Sequence, residues 1–527
     1  MKFFETGIDK KEIRLIAIIS FVLIIITLVP VLYAYFFAPS GMYYTGRHAQ
    51  NSGDVAVYFS QIEQARQGHL LFENLYTSEF QRRIIFNPFW LVLGLLGRLF
   101  NLSNIFIFQL VRVLLIPIFV FTSYLLVSYF FQSKLKRIIG ILLICFAGGI
   151  THYAYTIDGS SFPSLSFSPH LVLSLILIEL IFLLILISWQ TDKIKLAIIA
   201  GILALILFSF HPYHITTVLG ILGIYLLVLI YKNYRRLLSY INKYLVLLIF
   251  SLPAILYYYW YFRADKIARI WLEQSDKLMH PRPPWEILYS LGFLSILAIV
   301  GLYFYLKNKK NKFPLVWVVG SLSLFWIPLF FRMRLIGGLS IALSILAVEA
   351  IYYIVKYLKT KKYFYITITL FCFLCLSLLI PVNLSIVLQN IAVYYQKVPL
   401  AYIKLTEKES LDWIRNNLND NDVILASWVD GFGNLIPGYT GKKVFVGHGI
   451  QTPKAEEKWE MVRWFFRDGN QEGKTEFLKN NNIGYIFYSQ YEKELGNYNV
   501  EGLDYLKKVF ENKDVSIFKV KINAENK

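Results

Sequence analysis

The chain has 527 residues, is 56% hydrophobic, and carries a formal charge of +19 at a mean hydropathy of +0.51. Soluble globular domains do not have this composition, and apolar runs of about 20 residues, each long enough for a ~30 Å hydrocarbon core, recur along it. The charge does not point to nucleic acid: from Tyr394 onward 19 basic residues balance 19 acidic ones, so the excess lies in the apolar part, where loop cations set topology.

In chain order, Lys10, Lys11 and Arg14 precede an apolar run over 15–37. It is too long for a signal-peptide core and is expected to remain as an anchor helix. Gly53-Asp54 follows. Val55, Phe59, Ile62 and Ala65 then recur at helical spacing, which predicts an amphipathic interfacial helix that stops near Gly68. Asp54 at its start is either an N-cap, which Asp does well, or a reactive carboxylate.

Eleven spans are expected, at roughly 13–37, 105–131, 137–153, 169–189, 195–210, 214–231, 244–262, 285–306, 313–331, 335–357 and 362–385. The apolar piece 84–100 is left out on charge parity. If it does not cross, the N-terminus and every short Lys/Arg-rich loop fall on one side, as the positive-inside rule requires. The N-terminus is then inside, and a long first loop (39–104) and the C-terminal part are outside. The expected architecture is an α-helical polytopic membrane domain over 1–393, with a soluble extracytoplasmic α/β domain over 394–527. In that domain, helices over 406–418, 456–467 and 474–479 alternate with strands over 423–426, 485–488 and 515–520. No GxGxxG or P-loop is present, so no nucleotide is assigned.

Topology sorts the polar residues. Asp158, before Gly159-Ser160, is either a turn residue or a second outer carboxylate. His211 and His214 flank Pro212 between two spans; they can donate to a phosphate oxygen or simply be satisfied by water. Arg332 and Arg334 sit in a tight outer turn, on the side where cations are disfavoured. A planar guanidinium takes two oxygens of a lipid phosphate; snorkelling to headgroups is the alternative. Arg112, in the outer part of a span, carries the same expectation with less force. Cys145, Cys372 and Cys375 give no disulfide framework and no zinc site.

One N-terminal span, a long outer loop opening with Gly53-Asp54, a juxtamembrane helix opening Asn87-Pro88-Phe89, Leu110-Val111-Arg112, and a basic turn at Lys134–Arg137 together resemble the GT-C superfamily of membrane glycosyltransferases, of the protein O-mannosyltransferase and aminoarabinose transferase type. Where that group often opens the helix with His-Pro-Pro, this chain has Phe86-Asn87-Pro88. The run Gly433-Asn434-Leu435 to Gly447-His448 is similar to the outer domain of bacterial and archaeal members. The resemblance implies transfer of a sugar from a polyprenyl-phosphate donor to a protein, glycan or lipid acceptor on the outer face of a prokaryotic plasma membrane. Asp54 would match the first-loop catalytic carboxylate and Asp158 the second-loop acidic residue. Arg332, Arg334, His211, His214 and Arg112 would serve the donor phosphate. Metal dependence stays open. The rival from another class is a lipid-carrier flippase or transporter, which places polar groups at midplane in broken helices.

Overall fold

The computed structural model describes residues 8–50, 52–150, 159–278, 283–308, 311–324, 326–327, 332–360, 363–428, 431–467, 473–496, 498 and 500–521. They fold as two compact units. One comprises Met1–Val29, Gln109–Trp260 and Asp276–Leu388; the other comprises Pro30–Phe108, Tyr261–Ser275 and Gln389–Lys527.

The first unit is helical throughout its described residues. Among the described residues, six helices are long and apolar enough to cross a membrane: Lys10–Phe36, Asn104–Phe130, Pro169–Thr191, His214–Lys232, Tyr234–Ala264 and Arg334–Leu358, the last two counted with the short turns leading into them. Two bent pairs raise the number to eight, so the chain is a polytopic membrane protein by length and composition. The expected eleven spans are not reached by this measure. Lys134–Phe146, Ile194–Phe210 and Phe313–Leu324 have only 13, 17 and 12 residues, against the ~20 a span needs. The pair Pro284–Ser290 and Phe293–Lys307 turns through 106° at Gly292, whose φ of +57° is one that L side chains rarely adopt.

Basic residues expected to lie in loops are partly tied down. Lys134, Lys136 and Arg137 form the first turn of a helix and pair with Asp9 (2.7 Å), Glu349 (2.7 Å) and Glu12 (2.8 Å). Asp9 and Glu12 cap the first helix reciprocally, each carboxylate accepting from the other's backbone N–H. The buried Glu179 accepts from Thr122 and Ser123 hydroxyls at 2.9 and 2.6 Å, which satisfies it within the helix bundle.

The second unit joins the first loop to the C-terminal part. A two-stranded antiparallel ribbon pairs β1 (Met42–Tyr44) with β2 (Tyr402–Lys404). A five-stranded mixed sheet contains β3 (Val423–Leu425), β4 (Lys443–Val444), β5 (Ile483–Tyr488), β6 (Leu506–Glu511) and β7 (Ser516–Val520), in the order β4-β3-β5-β7-β6. β3 is parallel to both neighbours; β7 is antiparallel to β5 and β6. The helices Leu405–Asn417, Ala455–Arg467 and Lys474–Asn480 lie where the periodicity puts them.

The helix Asp54–Arg66 is not a surface helix with one wet face. Nine of its 13 residues are buried, Glu63 and Gln64 among them. It is enclosed by two Gly-bearing helices, Pro88–Leu99 and Phe432–Thr440. At Gly94 an added Cβ would lie 2.3 Å from Ala65 Cβ and 2.5 Å from Ile62 O; at Gly438 it would lie 2.8 Å from Ala56 O. The 12-residue helix Pro88–Leu99 is about 18 Å long, too short to span, and Asn87 caps it by accepting from Trp90 N. We expect Gly94→Ala to lower the stability of the full chain by about 1–3 kcal/mol, the usual cost of overpacking. An unchanged melting temperature in detergent would show that these helices can separate without cost.

Asp420 gathers His69 Nε2 (3.0 Å), Arg83 Nη2 (3.0 Å) and Lys442 Nζ (2.8 Å). Partial burial pushes its carboxyl up, but Lys442 and then Arg83 outweigh that and hold it down to about 2. A folded value below the unfolded one contributes stability at neutral pH, and this is lost as pH falls through about 4 towards 2. The side chain is 36% exposed, so salt screening keeps the effect modest. Asp420→Asn should therefore melt below the wild type at pH 7, with the gap closing as the pH is lowered towards 3; a gap that widens in acid contradicts the assignment.

Candidate functional site

Asp54 is the first residue of its helix. Gly53 occupies the N-cap position. The carboxylate lies in the positive field of the helix N-terminus and points to His448, with Oδ1 3.1 Å from Nε2. His448 Nδ1 accepts from the backbone N–H of both Ile450 and Gln451, each at 3.2 Å. Because both partners are donors, Nδ1 must be the acceptor nitrogen, and the ring proton sits on Nε2, facing Asp54.

The supports of this pair come from the same unit. Asn434 Nδ2 donates to Gly53 O (3.3 Å) and Gly447 O (3.1 Å), which fixes the two loops side by side. Thr452 Oγ1 accepts from the backbone N–H of Gly447 and His448 and donates to Tyr76 O at 2.7 Å. The Tyr76 ring lies edge-on to His448 at 6.0 Å, and its hydroxyl donates to Asn434 O at 3.2 Å. Burial, with the Asp54 charge adding to it, pushes the Tyr76 phenol well above its ordinary value, so it stays protonated and keeps donating. The side chains of Asp54 and His448 are 25% and 10% exposed, half-open to a reactant yet held in place. They are also the two ligand-type side chains here that could hold a metal. No group of three or more His, Cys, Asp or Glu suited to a metal occurs among the described residues.

A second constellation lies within the helical unit. Pro212 ends the helix Ile194–Phe210, and the chain re-enters at His214. The His211 ring is perpendicular to His214 at 4.5 Å and to His170 at 5.3 Å. Ser174 Oγ lies 2.9 Å from His211 Nδ1, and Ser168 Oγ lies 2.6 Å from His170 Nδ1. The turn Arg332–Ile336 closes over them. Thr217 Oγ1 donates to Leu335 O (3.3 Å), and the Arg334 guanidinium stands 5.9 Å from the Tyr213 ring, which itself lies 4.9 Å from His211. His211, His214 and Arg334 are therefore brought together, with His170 as an unforeseen third imidazole. His214 Nδ1 is buried without a hydrogen-bond partner among the described residues.

The other expected residues fare differently. Arg112 is fully buried; Nε donates to Gln109 (2.7 Å), Nη1 to Leu165 O (2.8 Å) and Nη2 to Thr27 O (3.2 Å). It clamps helices by their carbonyls. Asp158 lies outside the described residues, and of Arg332 only the backbone is described.

No protein-family model and no curated protein sequence matches the chain. Solved structures do. An Archaeoglobus fulgidus oligosaccharyltransferase tethered to an acceptor peptide superposes with a TM-score of 0.57 at 13% identity, over 90% of this chain and 69% of that one. ArnT from Cupriavidus metallidurans bound to undecaprenyl phosphate gives 0.52 at 11% identity, over 97% of this chain and 98% of that one. The fold is that of the GT-C membrane glycosyltransferases. A mycobacterial arabinofuranosyltransferase, AftD, shares it at a TM-score of 0.52 and 12% identity, over 97% of this chain and 40% of that one. Identities of this order establish a common GT-C fold; the chemistry has to be argued from this chain's own residues.

Proposed function

We propose that the chain is a membrane glycosyltransferase taking a sugar from a polyprenyl-phosphate donor to an acceptor hydroxyl at the outer face of the membrane. The observation that carries this reading is the Asp54–His448 pair at a helix N-terminus in a GT-C fold. In the proposed step the acceptor oxygen attacks the anomeric carbon while its proton passes to Asp54. The bond from that carbon to the phosphate oxygen breaks, and its electron pair leaves with the lipid phosphate, inverting the configuration. A phosphate leaving group needs positive charge rather than an acid. Arg334 supplies it, with Arg332 from the same turn, and His211 and His214 are the neighbouring donors. His448 is a positioning residue that holds the base in one rotamer. Asp158 is proposed as the second outer carboxylate, positioning the acceptor.

A transporter reading has less to stand on. Of the ionisable groups within spans, Glu179 is held by two hydroxyls and Arg112 by backbone carbonyls, which are structural uses. The deciding experiment reconstitutes the chain in liposomes with polyprenyl-phosphate sugars and acceptor-containing envelope extract. Release of polyprenyl phosphate coupled to a glycosylated product is the expected result; movement of the intact lipid-linked sugar across the bilayer without release would replace the proposal with transport. In the same system Arg334→Ala should weaken the donor about tenfold or more, the worth of one charge-assisted hydrogen bond. Arg334→Lys should recover only part, because a point charge lacks the planar fork. Unchanged donor affinity in Arg334→Ala would reduce the residue to a membrane-surface anchor.

A further inference from the structure

The helical unit has a cavity at the end of the bundle away from the histidine cluster. Along the helix Pro169–Thr191, His170 belongs to the cluster and Trp189 lines the cavity; 19 residues of α-helix separate them by about 28 Å. The cavity measures about 890 Å³, room for a headgroup and part of its chain. Its polar side presents Lys232, Arg236 and Lys312, and no Asp or Glu among the described residues lines it. Arg236 approaches Asp192 at 3.7 Å, but that carboxylate is already taken by Lys243 and by the Ser239 hydroxyl.

The floor is built. Tyr225 donates its hydroxyl to Asn311 Oδ1 at 2.7 Å, and Asn311 Nδ2 donates to the Tyr129 hydroxyl at 3.3 Å. Asn311 is itself pinned, its Oδ1 accepting from Phe313 N at 2.9 Å and its carbonyl from the Tyr305 hydroxyl at 2.8 Å. Arg236 stacks 5.2 Å from the Tyr240 ring, whose backbone carbonyl accepts from Trp189 Nε1 at 3.1 Å. The remaining wall holds Gln190 and Tyr231 beside an apolar flank of Leu186, Val228, Leu229 and Leu306, the last 44% exposed. Cations on one side, hydroxyl and amide donors below and a greasy flank reaching the surface form a container for a phosphate that arrives attached to a hydrocarbon chain.

We propose that this cavity binds the phosphate of an anionic membrane lipid, with Lys232, Arg236 and Lys312 around the phosphate and the chain along Leu306. The site is separate from the proposed donor turn and does not depend on the glycosyl-transfer reading. Its volume far exceeds what a phosphate ion needs, which favours a lipid over a soluble anion.

The test uses the full chain, purified in detergent and titrated with phosphatidylglycerol, with phosphatidylcholine, and with inorganic phosphate, bound lipid being read by native mass spectrometry. Phosphatidylglycerol should bind in preference to phosphatidylcholine, and Lys232→Gln/Lys312→Gln should weaken it roughly tenfold. Arg236→Gln should do likewise. The substituted lysines are exposed, so the double variant should keep the wild-type melting temperature without added lipid. Equal binding of the two lipids, or unaltered phosphatidylglycerol binding in both cavity variants, overturns the proposal. Displacement of the lipid by inorganic phosphate at matched concentration overturns the assignment to a lipid.

Discussion

Asp54→Asn is expected to insert and fold as the wild type, to bind the lipid donor, and to lose sugar transfer by about 10²–10⁴, the usual worth of a general base. The substitution suits the question because Asn keeps the shape and its amide oxygen can still accept from His448 Nε2, while it cannot accept the acceptor's proton. The competing idea, that Asp54 serves as a helix cap, would make the change harmless, since Asn caps about as well. Asp54 is the first helical residue, with Gly53 at the cap position, so the substitution tests the two roles directly. Measuring kcat with saturating donor separates the remaining possibilities. Transfer within a few-fold of wild type would end the claim for Asp54. If His448 is a positioning residue, His448→Ala should lower kcat less than Asp54→Asn does and leave donor KM unchanged, and His448→Gln should restore part of the loss because it keeps a donor. Equal losses in Ala and Gln variants would point to chemistry by the ring itself.

The second large effect concerns folding. Glu63 is buried, 3% exposed, and its carboxylate meets Arg415 Nε at 3.2 Å, Asn104 Nδ2 at 3.0 Å and Arg66 Nε at 3.7 Å. Arg415 also donates to the Tyr439 carbonyl, and Arg66 to that of Leu102. Removing the Glu63 carboxylate leaves two guanidiniums facing each other, with only the more exposed Asp412, 3.9 Å from Arg415 Nη1, still close by. Breaking buried ion pairs from one side costs about 3–5 kcal/mol. Because both arginines are partly exposed, we expect Glu63→Ala to cost about 3 kcal/mol, the lower end. The readout is limited proteolysis, with cleavage appearing in the helix Leu405–Asn417 and in the first loop at the same protease concentration. Wild-type resistance in both segments would show that the cluster is replaceable by water.

The helical content, the alternating C-terminal elements and the first-loop helix were legible in the sequence because periodicity reports burial directly. Three things were not. The helix Phe432–Thr440 carries Gly433, Pro437 and Gly438, residues that argue against a helix locally; they are accommodated because the helix must approach Asp54–Arg66 at backbone distance. The surface character assigned to Asp54–Arg66 failed because its polar residues Glu63 and Gln64 are buried on partners remote in sequence. The third is the number of crossings: among the described residues six helices, or eight with the bent pairs, have the length and apolarity of a span, and the short helix Phe313–Leu324 is not one of them. Of the candidate site, Asp54 and the His211–His214–Arg334 group were visible as lone charges or imidazoles in apolar context. His448 was not, since a single His in a soluble segment carries no local signal. The one available cue was the Gly-rich run over 433–448 that ends at it.

The 394 positions between Asp54 and His448 have a consequence for biogenesis. At about 5–20 residues per second of synthesis, the carboxylate leaves the ribosome on the order of 20–80 s before its imidazole partner. During that interval most of the helical unit can enter the bilayer while Asp54 lacks the group that orients it. A nascent chain thus lacks the completed Asp54–His448 pair until nearly all of it has been made, and chains released before His448 would occupy the membrane without it.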